Sequence, residues 1–192
     1  MLSSHARLRA RESSKEGSLP RQGYLAKLVA ECAHEQTAKD SKLQCLAHLA
    51  NFAYDPINYD HFLRLNVADL FVDTLEEALQ SNAAEFQRLT TQGICNLAPD
   101  TRFQKVLIES DIVPLLLTAC KSTDITTITA SIATLFFLLD APPSITQRNV
   151  LVENRKVYDC IQNCTQHANP IVRNTAMAYL SRQASILEES AG

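Results

Sequence analysis

Three prolines set the frame. Pro56, Pro99 and Pro142 lie 43 residues apart. Proline suits a helix start and breaks a helix interior, so these positions mark recurrent joints between helices. A period near 43 limits the chain to architectures built by stacking one unit on the next. Sliding the chain by 45 residues tests this. Leu25 falls on Leu70 and Leu70 on Leu115; Asn51 falls on Asn96, Asp55 on Asp100, and Leu75 on Cys120. The string Ala50-Asn51-Phe52-Ala53 meets Cys95-Asn96-Leu97-Ala98. Weaker copies follow around Phe137 and Tyr179, and Cys164 falls on Cys120 at a shift of 44.

Within each unit the apolar residues recur at helical spacing, as in Leu25, Leu28 and Val29, or Leu43, Leu46, Ala47 and Ala50. Alternating strand patterns are absent. Each full unit predicts a short helix, a second helix and a longer third one. The second unit gives 57–65, 67–79 and 83–97. The third gives 102–109, 113–120 and 125–139. The fourth gives 145–153, 156–166 and 170–183. The first unit starts near Tyr24 and has room for two helices. Asp55 before Pro56 reads as an N-cap ahead of a first-turn proline.

Three helices per unit and a period near 42 resemble armadillo repeats, as do the run Ile112-Val113-Pro114-Leu115-Leu116-Leu117 and the Asn-Leu ends of third helices. The resemblance is carried further by Gly23-Tyr24-Leu25, by Leu49-Ala50-Asn51-Phe52-Ala53-Tyr54-Asp55-Pro56 running on to Asn58-Tyr59, and by Asp69-Leu70-Phe71. It spans about 23–183. It implies an all-α fold, an armadillo right-handed superhelix (α-solenoid) of about three and a half repeats. The expected layout is a disordered basic arm over 1–20, the repeat domain over 21–186 and a disordered tail over 187–192.

Composition bounds the function. Only four glycines are present and only Gly23 and Gly93 lie away from the ends, so no phosphate-cradling glycine loop can form. No apolar run of 18 residues and no secretory h-region occurs, so neither a membrane span nor a signal peptide is expected. Residues 1–21 hold Arg7, Arg9, Arg11, Lys15 and Arg21 against Glu12 and Glu16, while the whole chain carries −3. The remaining body is therefore acidic, which suits a basic protein partner better than nucleic acid. Only the arm around Arg7–Arg11 offers weak contact to RNA phosphates. A directly RNA-binding body would need a basic stripe drawn from Arg88, Arg102, Lys105, Arg148, Arg155 and Lys156.

Six cysteines, none in a CxxC pair, sit in apolar helical stretches and indicate a reducing compartment. Cys45 and His48 share a helix face but read as a core cysteine beside a partly exposed histidine. Cys160, Cys164 and His167 lie at i, i+4, i+7. The repeat equivalence of Cys164 with Cys120 makes that position a core slot, and no fourth metal ligand is evident. No catalytic set, cofactor or metal is expected, so the chain is not read as an enzyme.

In armadillo proteins the position of Asn51 and Asn96 lines a concave groove, where an amide can bind an extended peptide's backbone. A helical asparagine costs about 0.6 kcal/mol against alanine, so two at one register ask for a reason. The other reading is local, the amide tying down the following loop. Helical steps extend the groove through Ala47 and Asn51, then Arg88, Gln92 and Asn96, then Ala133 and Phe137, then Thr175 and Tyr179. Phe137 reads as packing against the next repeat. Peptide-binding grooves set a tryptophan four residues before the asparagine; here Ala47 and Gln92 stand there, which argues against importin-type capture of basic peptides. Tyr54, Asp55, Asn58 and Tyr59 form a joint patch, read either as flat contact area or as a helix cap with a tyrosine buttress. Asp69, Asp73, Glu76 and Glu77 form an acidic stripe, read as a solvated face or a dock for a basic partner.

The resemblance includes one armadillo family whose members pair with an RNA-recognition-motif protein, RNA-binding motif protein 48, in the minor (U12-type) spliceosome. It implies a non-enzymatic interaction scaffold in pre-mRNA splicing, in the nucleus and also the cytoplasm, with RNA reached indirectly through the partner. A directly RNA-binding protein and a generic armadillo peptide-binding adaptor are the alternatives.

Overall fold

A computed structural model describes residues 21–142 and 151–191. Among the described residues every regular element is helical. In chain order they are α1 (Arg21–Ala33), α2 (Lys39–Ala53), a 3-10 turn (Pro56–Asn58), α3 (Tyr59–Arg64), α4 (Val67–Gln80), α5 (Ala84–Leu97), α6 (Thr101–Glu109), α7 (Ile112–Ala119), α8 (Ile125–Leu139), α9 (Arg155–Cys164) and α10 (Pro170–Ala191). The short first helices, the second helices and the long third helices of the units are thus all present where the sequence places them. The exception is the segment expected as helix 145–153, of which 145–150 lie outside the described residues and 151–153 form a turn. The arm over 1–20 also lies outside them.

Several helices start where a side chain replaces a missing intrahelical bond. Asp55 accepts from the Ile57 amide ahead of Pro56, Asp100 from that of Arg102, and Asp124 from that of Thr127. Asn154 caps α9 through the amides of Lys156 and Val157. First and second helices are separated by a left-handed residue, Asn66 (φ 50°) in one unit and Asp111 (φ 49°) in the next. The two are equivalent at the shift of 45, and both belong to the residue types that tolerate this conformation.

Units stack nearest-neighbour. The third helices pack in the order α2, α5, α8, α10, and α1, α4 and α7 pack in a second row. Phe62, Phe71, Phe103, Leu46, Leu75 and Leu107, from first, second and third helices, are fully buried in the core. Gly93 lets the second and third helices of one unit pack closely: a Cβ there would sit 2.5 Å from the Phe71 ring, so the ring lies directly against the α5 backbone.

The segment 187–192 reads as a tail, but α10 continues to Ala191. Ile186 packs on the core, Arg182 reaches Glu189 at 3.3 Å, and no proline or glycine intervenes before Gly192. Nothing stops the helix at 186.

Candidate functional site

The row of third helices carries the groove register. Gln92, Asn96, Ala133 and Thr175, drawn from α5, α8 and α10, line one shallow depression of about 300 Å³ together with Thr126 and Thr129. The depression brings together these four residues of the groove register, and Thr126 and Thr129 add hydroxyls that the register did not include. Thr129 donates its hydroxyl hydrogen to the Ile125 carbonyl, and Thr175 donates to that of Ile171 at 2.8 Å. A threonine has one hydrogen and two lone pairs, so both oxygens remain acceptors. With the Gln92 amide they make an uncharged floor that suits N–H donors. Stepping back one helical turn from Ala133 reaches Thr129, which was the available signal.

Other expected groove residues have different places. Asn51 is exposed at the end of α2, and Arg88 is half-buried on α5. Asn96 is committed within the protein. Its side-chain amide donates to the Ala50 carbonyl at 3.0 Å, and its own carbonyl accepts the Tyr59 hydroxyl at 2.9 Å. The amide does not tie down the following loop; its bond runs back to the preceding third helix and joins one repeat to the next. Tyr179 is not a groove residue: it is 0% exposed, its hydroxyl 3.5 Å from the Leu151 carbonyl. Burial pushes its phenol pKa up. Gln183 likewise donates to the Val152 carbonyl, so both close the turn before α9. Phe137 packs edge-on against Phe136 with centroids 5.8 Å apart.

The joint patch divides. Tyr54 is 64% exposed. Asp55 is the cap described above. Asn58 is fully buried, donating to the Phe52 carbonyl at 2.8 Å and accepting from Arg21 at 2.8 Å. Tyr59 is buried edge-on against Phe103. Asn58 and Tyr59 are therefore no contact patch; cap and buttress is the structural outcome, because each has a polar partner inside the joint.

On α4, Asp73, Glu76 and Glu77 are exposed and Asp69 is half-buried. They sit on a second helix, away from the groove floor. Glu77 lines a separate depression of about 450 Å³ with Lys39 and Lys42, which offset its charge. Candidate RNA-binding bases are mostly answered by carboxylates. Arg102 bonds Asp60 at 2.7 Å and Asp100 at 2.9 Å, and Arg155 bonds Asp159 at 2.9 Å. Lys105 lies 3.9 Å from Glu109, and Arg148 lies outside the described residues. Cys45 is buried, which raises its thiol pKa and removes the pair with His48 as a nucleophile. No described helix is long and apolar enough to cross a membrane.

Comparison with known proteins places this geometry. The mouse (Mus musculus) armadillo repeat-containing protein 7 is 54% identical over 57 residues, a stretch covering 30% of this chain and 28% of that protein. Two designed proteins share the fold. One is a computationally designed armadillo repeat protein for modular peptide recognition, with TM-score 0.71 and 18% identity over 83% of this chain and 64% of that one. The other is a designed armadillo repeat protein in complex with a (KR)4 peptide, with TM-score 0.71 and 16% identity over 84% and 64%. An engineered protein matches with TM-score 0.73 and 17% identity over 95% of this chain and 41% of its own. The chain spans less than two thirds of each of them. No protein-family model matches the sequence. The fold is the armadillo α-solenoid.

Proposed function

We propose that the chain is a non-enzymatic scaffold whose third-helix groove accepts an extended segment of a protein partner. The observation that carries this is the acceptor-rich, uncharged floor of Gln92, Thr129 and Thr175 on three successive third helices. Backbone amides spaced along an extended strand match such a floor. The peptide recognition for which one structural neighbour was designed, and the (KR)4 peptide bound by another, support peptide binding as a use of this fold. This chain lacks tryptophan, so aromatic slots for long basic side chains are missing, and backbone recognition dominates.

The similarity to armadillo repeat-containing protein 7 supplies the finer reading. The partner is the RNA-recognition-motif protein, RNA-binding motif protein 48, and the setting is minor-spliceosome pre-mRNA splicing in the nucleus. The chain buttresses the RNA reader and meets RNA through it. The acidic body and the paired arginines support that division of labour.

Titration calorimetry with the purified partner tests this reading. Gln92→Ala combined with Thr175→Val is expected to weaken binding roughly tenfold, since each removes about one neutral hydrogen bond. Undetectable binding by the unaltered chain, or an unchanged affinity in the double variant, would remove the groove from the account. In parallel, the chain alone should bind RNA weakly. Tight binding with a steep salt dependence would favour the directly RNA-binding alternative.

A further inference from the structure

The second-helix side holds a feature that the proposed function does not use. Cys120 caps the C-terminus of α7, while Cys160 and Cys164 lie one turn apart on α9. All three line one open depression of about 550 Å³ with Lys121, Lys156 and His167. The Cys160 sulfur reaches the Leu117 carbonyl of α7 at 3.9 Å, which fixes α9 against the end of α7. The reason they meet is the repeat itself. Cys120 and Cys164 occupy one position in successive units, and stacking brings equivalent positions side by side. Cys160 stands a turn away on the half-exposed flank.

We infer that Cys160 is a peroxide-modified cysteine, resolved by Cys120 to a disulfide that joins the third and fourth repeats. Sulfur of Cys160, as thiolate, attacks one oxygen of hydrogen peroxide; the O–O bond breaks and hydroxide leaves, taking a proton from solvent. Cys160 is then a sulfenic acid, oxidised by two electrons as the peroxide is reduced. The Cys120 thiol displaces that hydroxyl, a sulfur–sulfur bond forms and water departs. A dithiol reverses the change. Cys164 is the less suitable partner. It sits four residues from Cys160 on the same helix, where neighbouring Cβ bonds run parallel rather than converging.

The surroundings sort the three thiols for these roles. Hydrogen bonds from Cys120 and Cys164, aided by the Lys121 charge, pull the Cys160 thiol below its ordinary value against the effect of burial. Bonds with Cys160 and Cys164, together with burial, push Cys120 up, which keeps it a protonated donor. Cys164 is lowered by its bond with Cys120, yet its bond with Cys160 and its burial carry it to about 11. Cys32 and Cys95 are raised chiefly by burial, so they are internal controls.

The unaltered full-length chain supplies the first test, so no variant need fold. Iodoacetamide labelling followed by peptide mass spectrometry, from pH 5 to pH 8, is expected to give a nearly flat rate for Cys160. The control cysteines should rise about tenfold per pH unit, because their thiolate fraction does. A flat profile is the right signature, since low-pKa thiolates are weaker nucleophiles and absolute speed is a poor guide. One equivalent of hydrogen peroxide should then yield the Cys120–Cys160 disulfide. Cys120→Ser should instead leave a sulfenic acid at Cys160 that dimedone traps. A Cys160 rate that climbs with pH like the controls overturns the inference. So does oxidation elsewhere before Cys160, or a bond to Cys164 in place of Cys120.

Discussion

Asn96 and Asn51 occupy one register, yet only one of them is structural. Asn96 bonds the last turn of the preceding third helix. Asn51 belongs to the first unit and has no such helix before it among the described residues. Asn96→Ala should therefore cost about 1–2 kcal/mol of stability, since it strands the Ala50 carbonyl. Asn51→Ala should stay within about 0.5 kcal/mol. Urea midpoints of the two variants check this directly. Gly93→Ala should cost about 1–3 kcal/mol, because its Cβ has to displace the Phe71 ring or part α4 from α5. An unchanged midpoint there would mean that the ring turns aside freely. These roles were only half legible. The sequence marks Asn96 as unusual, but whether its amide faces the groove or the neighbouring repeat depends on the distance between stacked helices. Tyr179 misleads for a related reason: an aromatic at the groove register also reaches the turn before α9, and that turn's Leu151 carbonyl decides the matter.

At the scale of the helix, boundary chemistry is the most readable part of the chain. Asp55 and Asp100 cap as their spacing predicts, and Asp124 and Asn154 cap without a proline beside them. Asp100→Ala should cost about 1 kcal/mol, a typical value for a lost N-cap. Its charge state adds a pH dependence. The hydrogen bond from the Arg102 side chain, helped by the Arg102 and Phe103 amides, holds the Asp100 carboxyl below its ordinary value of 3.8 against burial. A carboxylate lowered in the folded state contributes stability that is present above its unfolded pKa and lost as pH falls through the folded one. That window lies below about pH 4. Between pH 6 and pH 2 the thermal midpoint of the unaltered chain should fall further than that of Asp100→Asn. Parallel curves would show that the bond to Arg102 adds nothing. The left-handed corners at Asn66 and Asp111 were missed, although they repeat at the same shift. Polar matches carry less weight than leucines in a search for periodicity, and their backbone role shows only in φ.

For the whole molecule, the main helix packing among the described residues joins neighbouring repeats, and stability should be local in the same way. Tyr179→Ala removes a fully buried ring from the last unit, and about 3–5 kcal/mol is typical of such a loss. Hydrogen exchange in that variant should rise across α9 and α10 while α2 and α5 keep their protection. Uniform loss of protection would indicate one cooperative block instead. The solenoid was legible because Pro56, Pro99 and Pro142, with Leu75, Cys120 and Cys164, repeat together. The groove floor was legible only where residues differ from their equivalents, as at Gln92. The ion pair of Arg102 with Asp60 described above has a counterpart in Arg182 with Asp140 at 2.7 Å, and each joins residues 42 apart along exposed ground. They are struts between successive turns of a coil, and dissolved ions weaken struts of this kind. Added salt should therefore loosen the seams between repeats before it melts the helices themselves.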